Sequence, residues 1–362
     1  MLKVSSCALG LKKVYSAPFK ENRNDSKVSE EQNYAINEIL NQYYPIIDIN
    51  NKSNSLSEQE KEDVANISAK MEDLDTFRNI CDEKYTDSPG VIEIREKMLN
   101  PKIAEQVYAQ PKVLMNFCQI SIEKINEEIE KVEKNLDSNS QEKIGQLKKA
   151  LIPFQITKGV LSSTENQVSS TNIGFTSNSQ IRRSISEIEW HIAGGALVGG
   201  IVKAITQVIP FITTIAVGQV SQNLVNKIST IYGYKNVGGI GDAINVMSYA
   251  LDVGGFAETM LDEIGGEAAS EILEFIPGVN IGVAVARSMA AVTVVGVATT
   301  GACESFQENR VTEKQLKAFG SSDFKWLCRA LYGPIALVNG DLYKGVEEAI
   351  PLFQKAVRRE HS

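Results

Sequence analysis

His191 and His361 are the only histidines in this chain of 362 residues. His361 is the penultimate residue, which leaves His191, beside Trp190, as the one imidazole placed where a folded site would form. A nucleophilic Cys–His pair would require Cys7, Cys81, Cys118, Cys303 or Cys328 to meet it, because a thiol is a weak nucleophile until a base or cation draws off its proton. These five cysteines are odd in number, widely spaced and without a CxxC pair, so free thiols in a reducing compartment are the expected state. Glu258, Asp262, Glu263, Glu267, Glu271 and Glu274 recur at helical spacing. General acid–base work would need a pocket and a partner for them, whereas a solvated helix face needs neither, and that is the expectation. No loop alternates Asp and Asn around a glycine as a hard cation requires. The glycine-rich "GGALVGGIVKAIT" lacks the lysine after its second glycine and the hydroxyl that would hold magnesium in a phosphate loop. The expectation is a protein with no cofactor, no metal and no catalytic residue. An enzyme with an unfamiliar site is the lesser alternative.

Charge narrows the partners. A net charge of −8 and a pI near 5.2 argue against nucleic acid, since phosphate contacts need a basic face and the lysines here are interleaved with glutamates. The opening "MLKVSSCALGLKK" is too short in its apolar part and too rich in serine for a secretory signal, so export would take another route.

Helices must carry whatever function exists, and the fold class expected is mainly α. Residues 1–160 read as a polar helical bundle. Ser29 to Gln32 and Ser57 to Glu60 have the spacing of reciprocal caps, and the turns around Pro45 and around Pro89–Gly90 separate helices. Ile122, Ile125, Ile129, Val132 and Leu136 line one stripe of a helix. The pattern restarts at Ile144, Leu147 and Leu151, which predicts a helical hairpin packed within its own domain, the alternative being a coiled coil with a partner, for which the heptads do not run on long enough. Residues 161–183 have the Ser, Thr and Asn content of a linker. From 184 to 311, opened by a cap at Ser184 and Glu187, the chain is rich in Gly, Ala, Val and Ile. An amphipathic tail, 312–362, starts at a Thr312–Gln315 cap and is expected to be broken by Pro334, Gly340 and Pro351 into short helices.

Two apolar runs, 192–218 and 276–303, are each long enough for the roughly 20 residues that cross a hydrocarbon core about 30 Å thick. Lys203 and Arg287 lie near their middles, where a basic residue costs on the order of 2.5–3.5 kcal/mol. Past Arg287, the uncharged stretch from Ser288 to Cys303 makes only about 24 Å of helix. The small residues Gly195 and Gly199, and Gly278, Gly282, Ala286 and Ala290, fall four apart and form grooves for close helix packing. Pro277 is expected to start a helix, and Pro210 to end or kink one. Arg182 and Arg183 would face anionic headgroups, with Trp190 as an interfacial anchor. Glycine-rich hairpins that pack on one another and reach lipid conditionally are therefore expected.

"VIPFITTIAVGQVSQNLVNKISTIYG", with Pro210, Gln219, Gln222, Ile228, Tyr232 and Gly233, is followed some forty residues on by "FIPGVNIGVAVARSMAAVTVVGVATTGACESF". Over residues 190–306 this resembles the helical domain of unknown function attached to bacterial Era-like GTPases and found in YcjF-type inner-membrane proteins. The resemblance implies a membrane-proximal or regulatory helical module. The GTPase itself is missing, so it implies no nucleotide hydrolysis.

The leading expectation is a non-enzymatic protein associated with the cytoplasmic face of a membrane. Its partners would be lipid or partner helices, a homo-oligomer among them, and its N-terminal region would recruit or regulate. One alternative is a bacterial effector or toxin, secreted by a non-Sec route, that inserts its hairpins into a target membrane. Another is a soluble helical scaffold.

Overall fold

The computed structural model describes residues 56–82, 88–135 and 138–169, scattered positions within 188–200, and residues 210–252, 267–274 and 276–358. The described residues are 84% helical and contain no strand, so the fold is mainly α. The cap at Ser29, the linker from 170 onward, the cap at Ser184 and the residues Arg182, Arg183, Trp190 and Lys203 lie outside the described residues.

Local chemistry starts the first helices. In α1 (Glu58–Met71), Ser57 Oγ accepts from the Glu60 amide at 3.2 Å while the Glu60 carboxylate accepts from the Ser57 amide at 2.7 Å. Helix α2 (Leu74–Cys81) is capped by Asp73, which accepts from the Thr76 amide. Helices α3 (Pro89–Met98), α4 (Pro101–Tyr108) and α5 (Pro111–Lys134) each open on a proline, whose fixed φ suits a first turn that has no use for its missing N–H. Two long-range donors close the helix ends. Asn116 Nδ2 donates to the carbonyls of Met71 and Glu72 at 3.0 and 2.9 Å. Arg95 donates to those of Ile80 and Asp82.

The hairpin expected from the isoleucine stripe is present. Ile125, Ile129 and Val132 of α5 are buried against α6 (Ser140–Ser169), which contributes Leu147. Helix α6 runs through 161–169, the first part of the stretch with linker composition.

The second half comprises α7 (Pro210–Ile231), α8 (Ile240–Asp252), α9 (Glu267–Ile272), α10 (Val279–Gln307), α11 (Glu313–Ala318), α12 (Ser321–Leu337) and α13 (Leu342–Arg358). Two local expectations need correction. Pro277 precedes α10 by two residues, and Gly278, in the left-handed region at φ 69°, is its N-cap. Pro210 opens the described part of α7, and the segment 201–209, whose helix it was expected to end or kink, lies outside the described residues. Pro334 and Pro351 sit inside α12 and α13 and break neither; the tail turns at Phe319–Gly320, between α11 and α12, and around Gly340, at φ 70°. The two prolines are tolerated because each helix is held by a buried face, Phe324, Leu327, Leu331 and Ile335 on α12 and Ala349, Phe353 and Ala356 on α13. The Thr312 capping box with Gln315 is present.

Buried residues of both halves form one continuous cluster. Helix α10 lies at its centre, touching α4, α5 and α6 from the N-terminal half and α7, α8, α9, α12 and α13 from its own.

Candidate functional site

Helix α10 has 29 residues, about 43 Å at 1.5 Å per residue, and among the described residues it alone is long and apolar enough to cross a membrane. Its sequence carries no acid or base between Val279 and Ala286, and after Arg287 none until Glu304. The most apolar 18-residue window is 89% buried inside the protein. What the composition offers to lipid, the fold covers with protein.

The small residues make that cover close. A side chain at Gly278 would press on the Ala104 methyl at 2.9 Å and on the Tyr108 ring at 3.3 Å, both in α4. Gly282 faces the Phe117 ring of α5, so closely that a Cβ would lie 2.7 Å from its Cζ. One turn on, the Ala286 carbonyl accepts from Thr157 Oγ1 of α6 at 2.8 Å. The four-residue spacing of Gly278, Gly282 and Ala286 thus forms one groove, as the sequence indicates. Its occupants are two aromatic rings and a threonine from the N-terminal half, rather than a second glycine-rich helix. Phe117 is itself locked edge-on between Tyr108 and Phe154, with ring centres 5.0 and 5.8 Å away.

The other glycine set meets the same helix from another side. A Cβ at Gly199 would lie 2.7 Å from a Val292 methyl, and one at Gly200 would lie 2.7 Å from Met289 Cγ. Gly195 is buried in the same segment. Arg287 is half-buried and engaged with neighbouring groups.

Tyrosines close both ends. Tyr108 donates from its hydroxyl to the Pro277 carbonyl at 3.0 Å, just ahead of α10. At the far end Tyr232 donates to the Glu304 carboxylate. Its ring stacks on Tyr234, which in turn meets Phe306 edge-on at 5.2 Å. Burial, and then the bond to Glu304, push the Tyr232 phenol far above the usual range, so it stays a donor.

The hydroxyls inside α10 are mostly satisfied without outside help. Thr293, Thr299, Thr300 and Ser305 donate to the carbonyls of Met289, Val295, Gly296 and Gly301, each four residues back, at 2.7–2.9 Å. Such bonds need neither water nor a partner helix, so these side chains are as compatible with hydrocarbon as with a protein interior.

Cys81, Cys118, Cys303 and Cys328 are free and buried. Burial pushes the Cys81 thiol up to about 12 and the other three up as well. His191 is buried and engaged, not solvated. Of the acidic run, Glu271 and Glu274 are exposed, while Glu258, Asp262 and Glu263 lie outside the described residues. A surface cleft of about 570 Å³ opens between α5, α6 and α9. Most of its charges are paired: Glu128 is 3.0 Å from Lys143 and 3.5 Å from Lys131, and Lys124 is 3.4 Å from Glu127. No group of three or more His, Cys, Asp or Glu among the described residues is arranged to hold a metal.

Sequence reasoning found the glycines of α10 but not Phe117, Tyr108, Thr157 or Glu304, whose roles depend on contacts across more than 70 residues of chain. Compared with known proteins, the chain matches no family model, no curated protein sequence and no solved structure.

Proposed function

We propose that this is a non-enzymatic helical protein that carries a membrane-length helix in sheathed form and presents it to lipid when the sheath opens. The observation that carries the reading is α10 itself, long and apolar enough to span yet with its apolar window 89% buried. In water such a helix must stay covered, because each exposed leucine- or valine-sized side chain forfeits roughly 1.5–3 kcal/mol of burial. In hydrocarbon that penalty vanishes, and the self-bonded hydroxyls of Thr293, Thr299, Thr300 and Ser305 remove the usual cost of inserting polar side chains. Arg287 sets the limit, since its insertion costs on the order of 2.5–3.5 kcal/mol. Entry is therefore conditional, not spontaneous.

On this reading α4, α5 and α6 are the removable part of the sheath and the regulatory region of the molecule. They meet α10 through the rings of Tyr108 and Phe117, the Ala104 methyl and the hydroxyls of Tyr108 and Thr157, without chain continuity, and can leave without unwinding it. The partner is a lipid surface reached from the cytoplasmic side. Buried free thiols at Cys81, Cys118, Cys303 and Cys328 support a protein made and kept in a reducing compartment. The resemblance of residues 190–306 to inner-membrane helical modules points the same way.

Flotation of the full chain with phosphatidylcholine–phosphatidylglycerol vesicles, followed by a carbonate wash, tests the proposal. A fraction that floats and survives the wash is the expected result. No flotation at any pH between about 4 and 8 would overturn it. The reading left standing would then be a soluble scaffold, which the burial of α10 within its own chain favours.

A further inference from the structure

One carboxylate lies where burial has no counterpart. Glu105, on the short helix α4, is 1% exposed, and its Oε1 has no hydrogen-bond partner. It sits between Ala104, which abuts Gly278, and Tyr108, which bonds the Pro277 carbonyl. The same eight residues therefore hold the start of α10 and carry an uncompensated acid.

The charges around it do not relieve it. Lys102, on its own helix, is the one charged group among the described residues that acts on it. On α1, Glu60 accepts from the Ser57 amide and from Asn100, and Asp63 is paired with Lys97 of α3 at 3.0 Å. Glu93 also belongs to Lys97, and Arg95 is committed to the carbonyls of Ile80 and Asp82. Lys112 of α5 lies 3.8 Å from Glu72. Helix α10 presents no charged side chain before Arg287. Ionised, Glu105 would be a buried anion without a donor on Oε1; protonated, it is a tolerable neutral group.

We propose that Glu105 is a proton-operated latch: neutral, it lets α4 seat on the start of α10, and ionised, it drives α4 off and uncovers the groove at Gly278. Burial, opposed only by Lys102, pushes this carboxyl from an ordinary value of 4.5 up to about 7. A raised carboxyl binds its proton more tightly in the folded state. Its stabilising contribution is therefore complete below the ordinary value and is lost as pH rises towards and through about 7. The latch is closed in acid and loosens near neutrality. Its regulatory meaning rests on the sheath proposal; its existence does not.

Hydrogen exchange of the full chain at about pH 5.5 and pH 8, corrected for intrinsic rates, reads the latch directly. Local opening of 101–108 and 279–282 is expected to be at least about tenfold more frequent at the higher pH. In Glu105→Gln the two conditions should agree within about twofold. Should that variant fold poorly, Glu105→Met provides the same neutral comparison. Equal opening at both pH values in the natural chain, or a pH difference that persists in the variants, overturns the latch. Glu105-dependent opening in a protein that binds no vesicle at either pH supports the latch and sinks the membrane reading instead. Vesicle binding with pH-independent exchange does the reverse.

Discussion

Gly159 of α6 and Gly340, in the turn between α12 and α13, are in backbone contact. A Cβ on Gly159 would lie 2.7 Å from the Gly340 Cα and closer still to the Asn339 carbonyl, and one on Gly340 would lie 2.6 Å from the Ile156 carbonyl. Gly340 also holds φ at 70°, where a side chain is strained whatever the space. This junction joins α6 to the turn between α12 and α13, across some 180 residues.

Gly159→Ala should therefore destabilise the whole molecule. Neither backbone can yield without moving a helix, and overpacking of this kind costs on the order of 1–3 kcal/mol or more. A melting temperature lowered by several degrees in a thermal scan is the expected result. Gly145, with nothing within 4 Å of its would-be Cβ, is the control: Gly145→Ala, on an exposed helix face, should hold or raise the melting temperature, by up to about 1 kcal/mol from helix propensity.

Gly282→Leu tests the sheath. The Phe117 ring is fully buried between Tyr108 and Phe154 and has nowhere to rotate, so a branched side chain should push α5 from α10 and cost at least about 1–3 kcal/mol. If the sheath restrains a lipid-seeking helix, loosening it should raise the floated fraction while the melting temperature falls. A lower melting temperature with no gain in flotation would count against conditional insertion.

Tyr232→Phe should loosen the far end of α10. The change leaves the Glu304 carboxylate without the phenol that donates to it, and losing a hydrogen bond to a charged group costs roughly 1.5–3 kcal/mol. Hydrogen exchange should rise at 303–307 and at 228–234 and stay unchanged around Gly278. Uniform exchange along α10 would show that the two ends are not held separately.

Thiol reactivity tests the absence of a cysteine nucleophile. With Cys7→Ser to remove the one cysteine outside the described residues, the remaining four are buried, with their thiols pushed well above the usual range. They should react with an aromatic disulfide reagent at least about a hundredfold more slowly in the native protein than in denaturant. One thiol that reacts rapidly at neutral pH would reopen the enzymatic reading.

Part of this protein was legible in the amino acids alone. The caps at Ser57 and Thr312 use side chains only three residues from the amides they bond, so sequence is enough to find them. The stripe Ile125, Ile129 and Val132 follows from helical period. So does the groove at Gly278, Gly282 and Ala286, because side-chain size and four-residue spacing are local properties. Pro334 and Pro351 misled for the opposite reason: their local cost is real, and the burial of Leu331, Ile335, Phe353 and Ala356 exceeds it.

What filled the groove was decided only by the tertiary structure. A run such as 276–303 has the same composition whether lipid or protein surrounds it, since hydrophobicity records aversion to water and names no alternative solvent. The surroundings come from Phe117, Tyr108 and Thr157, residues far off in the chain and ordinary in their own helices. Glu105 is the sharpest case. In sequence it is one glutamate among many in a polar bundle; only the packing of α4 against its neighbouring helices removes its water and makes its proton matter.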